Sequence, residues 1–176
     1  YGAGKNRKSM VGLIVGTGIG GGIILEHKLY KGLHGFAGEF GHSIIDPSGP
    51  KCSCGLNGDF ESLCSGHNIV KRYYISGGKI KNADPQKIFN SRERIAKRVM
   101  KDTIKYMGIG ISHITNAFDI DLVILGGGVS NLDFYDEVNK SAQSYSNYAV
   151  RESIRVVRTK LGDFSGAIGA GIIGFW

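Results

Sequence analysis

The sequence predicts an α/β protein: a mixed sheet flanked by helices. Apolar runs of strand length crowd the first part of the chain, and from residue 60 helical periodicity alternates with single short strands. The length of 176 residues, with 41% hydrophobic and 21% charged residues, suits one domain with a sizeable core.

Met10 to Gly16 is an apolar run ending in glycine, and Gly20 to Glu26 is a second. Thr17-Gly18-Ile19 between them reads as a tight turn. His27-Lys28 reads as a hairpin tip leading back through Leu29-Tyr30. His42 to Asp46 reads as a third strand, ended by Asp46-Pro47-Ser48-Gly49-Pro50. The period then changes. Residues 60–74 are helical, with a break near Gly66, and Asp84-Pro85 opens a short helix with the Asp as its cap. Residues 93–118 form the longest periodic stretch, with Ile95, Val99, Thr103, Met107, Ile111 and Ile114 at three- and four-residue steps. Gly108 and Gly110 weaken it without ending it. A buried strand over 120–125 runs into Gly126-Gly127-Gly128; a helix over 132–150, a strand over 154–159 and a Gly/Ala-rich helix over 165–175 complete the chain. An antiparallel meander followed by strand–helix–strand units is the pattern of a ribonuclease-H-like domain, as in the actin/hexokinase superfamily, where two such domains clamp ATP.

The 22 Lys and Arg against 15 Asp and Glu leave a formal charge of +7. The basic residues fall in separate stretches (5–8, 71–72, 79–87, 92–105, 151–160) that read as solvated helix faces, with no helix-turn-helix beside them. Nucleic acid is therefore not an expected partner, and an anionic small-molecule ligand is an equally good reason for a mildly basic protein. No apolar stretch approaches the ~20 residues of a membrane span. Tyr1 to Lys5 does not resemble a signal peptide, and without an initiator Met the chain reads as processed or truncated. Three Cys, two of them in Cys52-Ser53-Cys54, do not make a secreted disulfide scaffold, so a cytoplasmic location is expected.

The 28 glycines are roughly twice the average share of about 7%, and they cluster. Gly16-Thr17-Gly18-Ile19-Gly20-Gly21-Gly22 joins two strands; such a loop can aim main-chain N–H groups and a Thr hydroxyl at an anion, or be a bulged hairpin and nothing more. It is neither a Walker loop nor a dinucleotide fingerprint, because no Gly-Lys-Ser/Thr and no helix follows. Gly126-Gly127-Gly128-Val129-Ser130 ends a buried strand, where open α/β sheets place ligands, and its three glycines exceed what a plain turn needs. The third constellation is Glu39-Phe40-Gly41-His42, then Cys52-x-Cys54-Gly55-x-x-Gly58-Asp59-x-Glu61. Two thiolates on a glycine-rich knuckle with an imidazole ten residues earlier make a Zn²⁺ ligand set lacking one member, which Asp59 can supply. The competing reading is two buried thiols and a strand histidine; a close Cys-x-Cys beside turn glycines argues against burial in a core. Cys64 reads as a core residue on a helix face, with substitution as a ligand the alternative.

Residues 16–42 resemble the signature of the ROK family (repressors, open reading frames and sugar kinases), residues 52–61 its zinc motif, and Leu125 to Ser130 its nucleotide segment. The resemblance runs in order over nearly the whole chain. It implies that Glu39, His42 and Glu61 bind sugar hydroxyls. It also implies that His42, Cys52 and Cys54 hold a structural zinc, with Asp59 where the family usually has a third Cys. By the same resemblance, Gly16, Thr17, Gly18 and Gly20 lie beneath ATP phosphates, and Gly126, Gly127, Gly128 and Val129 line the adenosine pocket. The implied activity is ATP- and Mg²⁺-dependent phosphorylation of a hexose, at the 6-OH. Residues 1–176 would form the single carboxyl-terminal ATP- and sugar-binding domain of a two-domain kinase, with an inserted zinc knuckle and small helices. The general base and first phosphate loop would precede Tyr1, so the chain alone is expected to be inactive, and the parent a homodimer or homotetramer. The competing reading is a ROK-type sugar-responsive repressor or sensor without turnover; the intact loop at 16–22 favours the kinase. A non-catalytic assembly domain leaves Glu39, His42 and Glu61 unexplained.

Overall fold

The computed structural model describes residues 2–162 together with Gly166, Ile168, Gly169 and Gly171; the expected helix over 165–175 lies largely outside the described residues. Val11, Leu13 and Val15 alternate with exposed positions along β1 (Met10–Val15), so one face of the strand is buried. β2 (Ile19–Leu25) pairs antiparallel with β1, with Val15 opposite Ile19, which leaves Gly16 to Gly18 as the hairpin loop. β3 (Lys28–Tyr30) adds to the outer edge of β2, as the hairpin reading expects. β4 (Leu122–Gly126) and β5 (Arg155–Arg158) extend the other side in parallel, giving the order β3-β2-β1-β4-β5. The mixed sheet is thus borne out.

Helices that accompany it among the described residues are α1 (Phe60–Cys64), α2 (Gly66–Ile75), α3 (Pro85–Asn90), α4 (Arg94–Phe118) and α5 (Tyr135–Tyr145). Ser65 ends α1 and caps α2 by accepting from the Asn68 N–H, which explains the break expected near Gly66. Asp84 caps α3 in the expected way, accepting from the Lys87 N–H at 2.7 Å. α4 buries Ala96, Val99, Met107, Ile111 and Ile114 and stops at Asp119, whose left-handed backbone ends the helix. Arg94, Lys97, Arg98, Lys101 and Lys105 are exposed along it, so this basic stretch is a solvated face, as expected. Gly108 and Gly110 are points of close approach: a Cβ at Gly108 would sit 2.5 Å from the Ser141 Cβ of α5, and one at Gly110 would sit 2.8 Å from the Phe60 ring of α1. Among the described residues no helix is long and apolar enough to cross a membrane.

Two expectations are corrected. Residues 42–46 are not a strand: Phe40–His42 is a 3₁₀ turn, and Ile44 makes a single bridge to Asp59. The Ser43 N–H donates to the Phe40 carbonyl, and the Ile45 and Asp46 N–H groups both donate to the Gly58 carbonyl, so the segment turns onto the knuckle instead of joining the sheet. The helix expected over 132–150 shrinks to α5, because Ser146 takes an extended backbone and turns follow to residue 153.

Asp46 ties the segment after this turn to α4. Its carboxylate accepts from the Ser48 hydroxyl and amide at 2.6 and 3.0 Å and from the Tyr106 hydroxyl at 3.0 Å. Those bonds, Ser48 first, hold the carboxyl below the usual carboxylate range. The stabilisation is present above the unfolded-state value of about 3.9 and is lost as pH falls through the depressed one. Tyr106→Phe should therefore cost about 1 kcal/mol at neutral pH and less at about pH 3. Urea titrations at both pH values test this; an equal loss at the two contradicts it.

Candidate functional site

β1 and β4 run parallel with Ile14 opposite Gly126, so their following loops open at the same edge of the sheet. The first is the Gly16–Gly18 turn, closed by the Gly16 N–H donating to the Gly18 carbonyl at 2.9 Å, with Thr17 exposed. The second passes Gly126 and Gly127 into a 3₁₀ turn over Gly128–Asn131 that buries Val129. α2 begins between them: the Gly66 N–H donates to the Gly16 carbonyl at 2.7 Å, and a Cβ on Gly66 would lie 3.4 Å from Val129. Glycine turns at the carboxyl ends of adjacent parallel strands leave room for a ligand to approach the backbone.

The knuckle adjoins this edge. Its tip is held by the Cys52 N–H donating to the Leu56 carbonyl at 2.8 Å and by bridges pairing Lys51 with Asn57 and Ile44 with Asp59. Asp59 is wholly buried and caps α1: Oδ1 accepts from the Ser62 N–H at 2.7 Å. Its other oxygen, Oδ2, stands 3.1 Å from His42 Nδ1 and 3.3 Å from Cys54 Sγ. Cys52 Sγ is 4.0 Å from His42 Nδ1, and ligand atoms of His42, Cys52, Cys54 and Asp59 all lie within 4.8 Å of one another. Two sulfurs, one nitrogen and one oxygen converging at that spacing fit a tetrahedral Zn²⁺. Contrary to the expectation for the pair, Cys52 is 7% exposed and only Cys54 is open, because the turn at Leu56 folds over the first sulfur. Cys64 is a fully buried core residue, as expected.

Charge follows the geometry. Burial pushes the Cys52 thiol up to about 11, with Asp59 adding to the effect. Burial also raises the Asp59 carboxyl, but hydrogen bonds from Cys52, the Ser62 amide and His42 outweigh it and bring it to about 2. The Asp59 hydrogen bond raises the His42 imidazole against its burial, and the Glu61 and Glu39 charges add to the rise.

Glu61, on α1, links the two regions. Its Oε2 accepts from the Ile19 N–H at 2.8 Å, while Oε1 lies 3.9 Å from Cys52 Sγ. Glu39 is exposed just before the Phe40–His42 turn, near enough for its charge to act on His42. The sequence reading missed the Ile19 amide and the start of α2 as parts of this site. The first leaves no sequence signal; the second was signalled by Ser65 three residues before Asn68, a cap spacing.

The model of the ROK family matches residues 1–174. The xylose repressor of Bacillus subtilis is 34% identical over 129 residues, covering 73% of this chain and 34% of the repressor. The glucokinase of Thermotoga maritima is 27% identical over 190 residues, covering 98% and 60%. The crystal structure of a ROK family glucokinase from Streptomyces griseus in complex with glucose and AMPPNP superposes with a TM-score of 0.85 at 27% identity, covering 97% of this chain and 62% of that one. The chain thus spans less than two thirds of the length of these relatives.

Proposed function

The chain belongs to the ROK family, and on that premise we propose that it is the ATP- and sugar-binding part of a hexose kinase. The observation that carries the reading is the shared edge of the site: the glycine turn after β1, the glycine turn after β4, and Glu61 between the first of these and the knuckle. In this reading the γ-phosphoryl group passes from ATP to a hexose hydroxyl. The bond to the ADP oxygen breaks as the bond to the sugar oxygen forms, and a carboxylate takes the hydroxyl proton. Mg²⁺ neutralises charge on the phosphates when bound. Residues 16–18 and 20 receive the phosphates, and residues 126–129 receive the adenosine. Glu39, His42 and Glu61 select the sugar, since acceptors that a bound sugar covers penalise an analogue that lacks the matching hydroxyl. No general base is assigned to residues 1–176.

A zinc ion would be held by His42, Cys52, Cys54 and Asp59, and would fix the imidazole and the start of α1 in place. Protein purified without chelator should carry about one zinc per chain. Asp59→Cys should tighten zinc binding at least tenfold by restoring a thiolate, yet cost about 1 kcal/mol of stability, because the Asp59 cap on Ser62 is lost. Chelator competition and thermal melts separate the two effects; unchanged zinc affinity would mean that Asp59 is not a ligand.

The repressor reading rests on the similarity to the xylose repressor. A screen of the full-length protein with ATP against glucose, fructose, mannose and N-acetylated amino sugars decides between the two. Sugar-dependent ADP release supports the kinase; sugar binding without release supports the sensor.

A further inference from the structure

We infer that Glu61 is a positioning residue that couples the two ligand sites: one carboxylate oxygen holds the glycine turn in shape while the other is left for a sugar hydroxyl. This rests on the reading of residues 16–18 as the phosphate loop and of Glu61 as a sugar contact. The Ile19 N–H, the first of β2, gives its hydrogen to Glu61 Oε2 at 2.8 Å across 42 residues of sequence. The same oxygen lies 2.5 Å from where a Cβ on Gly18 would be, so the carboxylate rests on the loop itself. Among the described residues the hydrogen-bonding neighbour of Oε1 is the Cys52 thiol, at 3.9 Å, so this oxygen remains able to accept from a sugar. Glu61 is also held in place from behind: α1 is capped two residues earlier by Asp59, and the Glu61 carbonyl accepts from the Asn68 side chain at 3.0 Å. A sugar on Oε1 thereby fixes the carboxylate, and the carboxylate fixes the loop. By linkage, a nucleotide on the loop favours the sugar by the same factor.

The test is calorimetric titration of the full-length protein with AMPPNP, with and without glucose. Wild type should bind AMPPNP about 5- to 10-fold tighter with glucose present. Glu61→Ala should weaken AMPPNP at least about fivefold and abolish the glucose effect. Glu61→Gln keeps an oxygen for the Ile19 N–H and should retain near-wild-type AMPPNP affinity. Gly18→Ala displaces the carboxylate and should behave like Glu61→Ala, and the double variant should be no worse than either single one. Wild-type AMPPNP affinity in Glu61→Ala, or a glucose effect that survives in it, overturns the inference. Hydrogen exchange of the Ile19 amide reads the contact without any ligand. At least tenfold faster exchange in Glu61→Ala but not in Glu61→Gln supports it, and unchanged protection refutes it. If wild type binds neither probe, the functional reading fails, and the exchange result alone decides whether Glu61 holds the loop.

Discussion

Gly58→Ala is expected to unfold the knuckle and cost the protein at least 3 kcal/mol or so. Gly58 has φ +64°, and a Cβ there would lie 1.5 Å from the Asp46 carbonyl oxygen and 2.6 Å from its carbon. Neither atom can yield, because the Gly58 carbonyl accepts from the Ile45 and Asp46 N–H groups at 2.8 and 3.0 Å, and its own N–H donates to the Pro50 carbonyl at 2.8 Å. The next residue is Asp59, so relief of the clash moves the carboxylate that caps α1 and faces His42 and Cys54. The melting temperature should fall by about 10 °C, and bound metal should be lost with it. Gly55→Ala is the informative comparison. Its φ is +97°, but nothing stands within 4 Å of the added carbon, so it should cost only the backbone strain of about 1–2 kcal/mol. Thermal unfolding followed by circular dichroism distinguishes them; equal losses would show that the Asp46 contact is unimportant.

Cys52→Ala is expected to reduce zinc affinity more than 100-fold. The buried sulfur is one of four converging donors, and removing a ligand costs more than the 10- to 100-fold typical of outer-shell changes. The melting temperature of the metal-loaded protein should fall towards that of the chelator-treated wild type. Cys64→Ala supplies the contrast. Cys64 is fully buried, but its thiol donates to the Thr103 carbonyl in the core, so its loss should lower stability while leaving zinc content alone. Stoichiometric zinc in Cys52→Ala would contradict the ligand assignment.

The sequence made some parts of this protein legible because one local property decided them. β1 shows in the apolar run from Met10 to Gly16, α3 in its Asp84-Pro85 start, and α4 in twenty-five residues of helical period. β3 is announced by the turn at His27-Lys28 that leads back into it and not by its own pattern, as all three of its residues are exposed. The His42–Asp46 segment misleads: Ile44 and Ile45 look like a strand, but the Ile45 and Asp46 N–H groups both donate to the Gly58 carbonyl, and the pairing stops at the isolated Ile44–Asp59 bridge. In the site, close spacing of Cys52, Cys54 and Asp59 put the cluster within reach of sequence reasoning. The burial of Cys52 did not follow from spacing, because it depends on how the Leu56 turn closes. The contact between Glu61 and Ile19 joins residues 42 apart, and only the packing of α1 against the sheet brings them together.

A crystal structure of the full-length protein with a hexose and AMPPNP tests the proposed site most directly. The sugar hydroxyls should lie about 2.6–3.2 Å from side-chain atoms of Glu39, His42 and Glu61, with the phosphates over Gly16 to Gly18 and the adenosine beside Gly126 to Val129. A sugar seated away from those three side chains, or phosphates that do not meet the Gly16–Gly18 turn, would contradict it.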